Sequence, residues 1–270
     1  MTAIDQVISG SAEPFISRKM AIFLGRLGFT AALLIAWQWA ADAFGIIFFA
    51  PPMAVLQRLW EMTASGEMFL DIWATLKVSA IGFVIAMIAG AGLPFLLRLS
   101  ARFTEAIEPY IFWSQGIPKY ALAPWLILWF GIGELPKVII VIAMSFYVIF
   151  YNTFAGVKAV DFRLVNMARV IGASEKVVAR EVIWKSLQPF FYAGMKIAMP
   201  HAVGACIVGE FLVSTEGVGY YIEHARELSD TVGVFAGIVV ATGLVLAINA
   251  LVNWMERRAL AWRPVEREMR

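Results

Sequence analysis

Six long, nearly uncharged runs of apolar residues leave this chain few folds to choose from. They cover residues 20–41, 72–97, 110–130, 135–154, 190–213 and 232–255. An α-helix rises about 1.5 Å per residue, so roughly 20 apolar residues cross the about 30 Å of hydrocarbon in a bilayer. The runs are continuous, which excludes the alternating pattern of a membrane β-barrel. Charged residues make up only 16% of the 270, against about 25% in a soluble domain. The expected fold is an all-α polytopic membrane protein, one domain over residues 1–270 with about six transmembrane helices.

The positive charges are sided. Arg18, Lys19, Arg98, Arg102, Lys158, Arg163, Arg169, Lys176, Arg180, Lys185 and the arginines after position 256 fall on one side of such a bundle; Arg58, Lys137 and Arg226 fall on the other. Lys and Arg accumulate on the cytoplasmic side of membrane proteins. Both tails (1–19 and 256–270) and the polar stretch 158–188 are therefore expected in the cytoplasm. The net charge of +2 gives no argument for nucleic acid as a partner. No short apolar core with a small-residue cleavage site follows Arg18 and Lys19, so the first run is expected to be an uncleaved anchor. The lone cysteine, Cys206, cannot form a disulfide within the chain and is expected to pack in the fifth run.

Small residues recur every four positions: Gly82, Ala86 and Gly90; Gly194, Ala198, Ala202 and Cys206; Gly233, Gly237 and Ala241. That spacing lets helix backbones approach closely in lipid. No internal repeat supports an inverted-repeat transporter. The third run is irregular, with Pro109, Pro118 and Pro124 each removing a backbone donor. Lys119 lies near its middle, where a cation costs about 2.5–3.5 kcal/mol and needs a partner. Two readings stay open: pairing with a carboxylate such as Glu210 or Glu108 (or snorkelling), or contact with an anionic solute. His201, beside Pro200, is expected to hydrogen-bond between helices, and Lys196 to snorkel.

In the polar stretch, Asp161 can cap a helix running to about Ile171, and Gly172 suits the left-handed residue that ends it. Ser174 can cap a second helix, ending before Pro189. Its apolar positions Val177, Val178, Val182 and Ile183 would face the bundle, leaving Arg169, Glu175, Lys176 and Arg180 for the cytosol. Chemistry is scarce elsewhere. His201 and His224 are too few for a histidine metal site, and the chain has no G-x4-G-K-[ST] phosphate loop.

The segment Asn166-Met167-Ala168-Arg169 through Gly172-Ala173-Ser174-Glu175 resembles the cytoplasmic loop motif E-A-A-x3-G-x9-I-x-L-P of ABC importer membrane permeases. Val182 takes the Ile position and Trp184-Lys185 the Leu-Pro position; the Glu, the first Ala and the Pro are replaced. Further segments resemble the nitrate, sulfonate and taurine branch of that family. They are Ile117-Pro118-Lys119 to Gly131-Ile-Gly133, Asn152-Thr153 with Gly156, and Gly209-Glu210-Phe211-Leu212 running into Gly217-Val-Gly219-Tyr220.

The resemblance implies the permease subunit of an importer, multi-pass in a bacterial inner (plasma) membrane. Asn166, Met167, Ala168, Arg169, Gly172, Ala173, Ser174 and Glu175 would dock an ATPase through a coupling helix. Gln115, Pro118, Lys119, His201, Glu210, Gly217 and Gly219 are candidates for the translocation path or gate. The implied partners are a second permease copy, two cytoplasmic ABC ATPase subunits and an extracytoplasmic solute-binding protein. No cofactor or metal is expected on this chain, ATP and Mg belonging to the ATPase. The acidic segment 214–231 is either an ordinary polar loop or, by the resemblance, a gate or docking surface anchored by Glu210. Residues 42–71 are expected to lie along the outer surface. The competing class is an ATP-independent secondary transporter or channel-like pore, which Lys119 and the third run would also suit.

Overall fold

The structure, a computed structural model, describes residues 18–262. The expected N-terminal tail up to residue 17, and Arg263, Arg267 and Arg270 of the expected C-terminal tail, lie outside the described residues. Among the described residues the fold is entirely helical. In chain order come α1 (Arg18–Phe44), α2 (Pro52–Ser65), α3 (Glu67–Leu97), α4 (Ala101–Gln115), a 3-10 turn (Lys119–Leu122) and α5 (Ala123–Phe130). There follow α6 (Glu134–Lys158), α7 (Phe162–Val170), α8, α9 (Val218–Glu227) and α10 (Thr231–Ala259). Helix α8 combines a turn at Glu175–Val177, a π-helical stretch Val178–Trp184 and the long segment Lys185–Val213.

Five of these helices, α1, α3, α6, α8 and α10, are long and apolar enough to cross a membrane. The third expected span is not one of them. Pro118 has no N–H and pushes the residue before it away from helical geometry; it sits in extended backbone and ends the helical path after α4. The chain re-enters helix at α5 with Pro124 in the first turn, where a missing donor costs nothing. Residues 101–130 are thus two short helices joined at a proline break.

Packing of α3, α6 and α8 forms the core, and the small residues explain how closely they meet. A Cβ on Gly82 would lie 2.6 Å from a Val141 methyl, and one on Gly194 would lie 2.9 Å from the Asn152 Cβ. Ala86, Ala198, Ala202 and Cys206 are fully buried in the same seams. Gly237 does the same for α10, where a Cβ would lie 2.5 Å from Ile222 of α9. None of the most apolar stretch of α1 is buried; Trp37 fastens this helix to the bundle, donating to the Ala50 carbonyl at 2.9 Å and stacking on Phe235. Helix α2, 14 residues long, is too short to cross. It buries Val55 and Met62 and ties to the start of α10 through Arg58 and Asp230 at 2.7 Å.

The helix expected to stop before Pro189 instead continues through Pro189 and Pro200 as α8. An interior proline forfeits one ladder bond, and burial of Leu187 and Phe191 around Pro189 favours continuity over that loss. The π-helical turn just before it takes up an extra residue without breaking the axis.

Candidate functional site

At one end of the bundle, α7 is a short helix with both ends defined. The Asp161 carboxylate accepts from the Arg163 N–H at 2.8 Å. At the other terminus Ala173 N–H donates to the Ala168 carbonyl and Gly172 N–H to the Arg169 carbonyl, each at 3.0 Å. Together with Gly172 at φ +87°, these are the two bonds of a Schellman motif. Ser174 starts α8 from extended backbone, but through its carbonyl, which accepts from Val178 N–H at 2.9 Å; its hydroxyl makes no cap bond, contrary to expectation.

Arg169 and Glu175 are exposed but committed to each other: Nε and Nη2 reach the two carboxylate oxygens at 2.7 and 3.0 Å, closing the turn. That hydrogen bond raises the Arg169 pKa. Of the apolar positions expected to face the bundle, Val178 and Ile183 are buried and Val182 packs on the core, while Val177 is exposed. The large apolar residues of α7 point outward. In that helix only Val165 is buried, while Phe162, Leu164, Met167, Val170 (87% exposed) and Ile171 (74%) point away from the bundle. Ala168 and Ala173 pack back against the core, and Asn166 is exposed. Short side chains therefore seat the turn while large apolar ones crown it. A groove beside the turn, between α7 and the π-helical stretch, is closed by Trp262, whose indole donates to Gln188 at 3.0 Å.

The opposite end holds a buried polar cluster. Glu210, near the end of α8, is 1% exposed. It accepts from the Thr75 hydroxyl at 2.8 Å and from Gly219 N–H at 2.8 Å. The Thr75 oxygen in turn accepts from Val218 N–H at 2.9 Å, and Asp71, one turn earlier on α3, accepts from Gly217 N–H at 2.8 Å. The first amides of α9, which a helix cannot satisfy internally, are answered by side chains of α3 and α8. Gly217 and Gly219 are required by space: a Cβ on either would lie 2.4 or 2.5 Å from Glu210 or the Ile207 carbonyl. Lys137, on the first turn of α6, is 2% exposed and donates to Ser214 at 2.9 Å, holding the loop before α9. On the exposed side of α9 Glu223 pairs with Arg226, and the hydrogen bond lowers the Glu223 pKa.

The remaining candidates lie apart from both ends. Lys119 pairs with neither expected carboxylate: Glu108 binds Lys158 at 3.0 Å, and Glu210 belongs to the cluster above. Its ammonium instead donates to the Gln115 carbonyl, freed at the end of α4 by the Pro118 break, and sits 4.6 Å from the Tyr147 ring centre. Pro118 and Gln115 are exposed. His201 is exposed with Nδ1 2.7 Å from Ile197 of its own helix, so the expected interhelical bond is not made. Lys196 pairs with Glu256 at 3.4 Å rather than snorkelling alone. Asp71, Thr75 and Lys137 were not candidates from sequence. The one signal available was Asp71 and Thr75 sharing a helical face four residues apart in a run otherwise poor in polar groups.

Residues 82–260 match the family described as binding-protein-dependent transport system inner membrane component. The chain is 29% identical over 253 residues to the aliphatic sulfonates transport permease protein SsuC of Bacillus subtilis strain 168, covering 91% of this chain and 90% of that one. It is 30% identical to the formylaminopyrimidine transport permease protein ThiX of Halalkalibacterium halodurans, covering 87% and 94%. In fold it is similar to a chain of the MetNI methionine ABC transporter in an inward-facing conformation, with a TM-score of 0.61 at 16% identity over 70% of this chain and 94% of that chain.

Proposed function

The chain belongs to the binding-protein-dependent transport system inner membrane components, and from that premise we propose that two copies form the path of an ATP-driven importer for a small organic or inorganic anion or zwitterion. It is an ABC importer permease, with ATP hydrolysis on a separate chain. In this reading each copy sits on one cytoplasmic ATPase, which carries ATP and Mg, and an extracytoplasmic binding protein delivers the solute. Both termini and the α7–α8 turn then lie in the cytoplasm, as the Lys and Arg distribution favours.

The observation that carries the reading is the crowned turn. Met167, Val170 and Ile171 are large, apolar and solvent-facing on a rigid, doubly capped helix. Such a patch outside lipid calls for a protein partner. Closing of the ATPases would move both turns and tip the bundle between two packings. For the solute, the similar permeases named for sulfonates and for formylaminopyrimidine differ in cargo chemistry. Lys119, partly exposed and paired with no carboxylate among the described residues, favours an anionic group.

Gly172→Trp tests the docking step. The site has open space but a left-handed backbone, so the bulky residue strains the turn and crowds its tip. The expected result is membrane insertion as before with loss of co-purification with the ATPase; retained, functional co-purification would refute docking at this turn.

A further inference from the structure

We propose that Thr75 is a positioning residue that locks α9 to α3 and α8, so that α8 carries movement from the α7–α8 turn to α9 at the far end of the bundle. Only the coupling to nucleotide rests on the function proposed above; the lock itself stands on geometry. Helix α8 is continuous from Glu175, which is clasped by Arg169, to Val213 just past Glu210. At about 1.5 Å per residue a helix of this length is longer than the hydrocarbon core of a bilayer is thick, so a single element joins the two ends. At its far end the fully buried Thr75 hydroxyl works in two directions, donating to Glu210 of α8 and accepting from Val218 of α9. The Glu210 carboxylate completes the bridge, its Oε2 accepting from Thr75 at 3.0 Å and from Gly219 N–H of α9 at 2.8 Å. Asp71 and Glu210 take the amides on either side of Val218. Gly217 and Gly219 lie so close to Glu210 that α9 has no slack against α8. Lys137 holds Ser214 and so restrains the connecting loop from α6. Valine at position 75 keeps the shape of threonine but leaves a buried carboxylate and a buried N–H each short of a partner, the costly case for hydrogen bonds.

Hydrogen exchange on the purified full chain in detergent tests the lock without any partner. In Thr75→Val the amides of Gly217, Val218 and Gly219 should exchange roughly tenfold faster, and Thr75→Ser should restore protection. Asp71→Ala, which removes one acceptor only, should accelerate Gly217 alone and covers the case in which the valine variant folds poorly. The coupling step is read on the chain purified with its ATPase. A cysteine at the exposed Glu227 of α9 should change its maleimide labelling rate with ATP and vanadate, lose that change with Thr75→Val and regain it with Thr75→Ser. The one native cysteine is buried and stays silent. Unchanged exchange in Thr75→Val, or serine behaving like valine, overturns the lock. A nucleotide response that survives Thr75→Val overturns the coupling. Failure of the native chain to hold any ATPase would instead sink the proposed function, leaving the exchange result to decide the lock.

Discussion

Two glycines separated by a single residue serve the same contact for a spatial reason. Gly217 and Gly219 flank the start of α9 where Glu210 arrives, and Gly219 would set a Cβ against the Ile207 backbone carbonyl at 2.5 Å. Backbone cannot swing aside as a side-chain tip can. Gly219→Ala should therefore destabilise the protein by about 1–3 kcal/mol, the usual range for overpacking a close contact. A thermal melt of the detergent-purified chain checks this; an unchanged melting temperature would mean that α9 is not seated as described. Gly172 is the contrasting case, needed for its φ and not for space. Lys137 makes a third point at this scale. Counted along the chain it is one more positive charge near a span end, yet it is folded inward onto Ser214.

Among the elements, the proline break between α4 and α5 has the clearest consequence. It frees the last carbonyls of α4, and Lys119 supplies the donor that a helix C-terminus lacks. The Tyr147 ring beneath the ammonium adds a cation–π contact. Neither contact neutralises the charge, so the ammonium remains able to meet an anion. Lys119→Ala should lower solute uptake roughly tenfold, the factor for about 1.4 kcal/mol of lost interaction, while the complex still assembles. Uptake at the native level would make Lys119 a helix cap and nothing more. The α7–α8 unit shows the opposite use of helix ends, where a Schellman turn and an ion pair make a rigid projection.

Across the whole molecule, the two polar sites lie at opposite ends of one continuous helix, α8, and the orientation of that helix decides which faces the cytosol. On the proposed function, and as the positive-inside distribution favours, the α7–α8 turn faces the cytoplasm. A cysteine at Lys176 should accordingly be labelled by a membrane-impermeant maleimide only after cells are opened, and a cysteine at Glu227 in intact cells. The reverse pattern would invert the topology and remove the docking argument with it.

Hydropathy, proline and glycine positions and charge sidedness determined the membrane class, five of the crossing helices, the break in the third run and the turn at Gly172. These are local or additive properties, carried by a few neighbouring residues or by sums over a run. The continuation of α8 through two prolines, the outward apolar crown of α7 and the lock around Glu210 were decided by the tertiary structure. Thr75 and Glu210 stand 135 positions apart, and no periodicity links them; burial alone, by making each unpaired polar group costly, drives such groups together once the helices have packed.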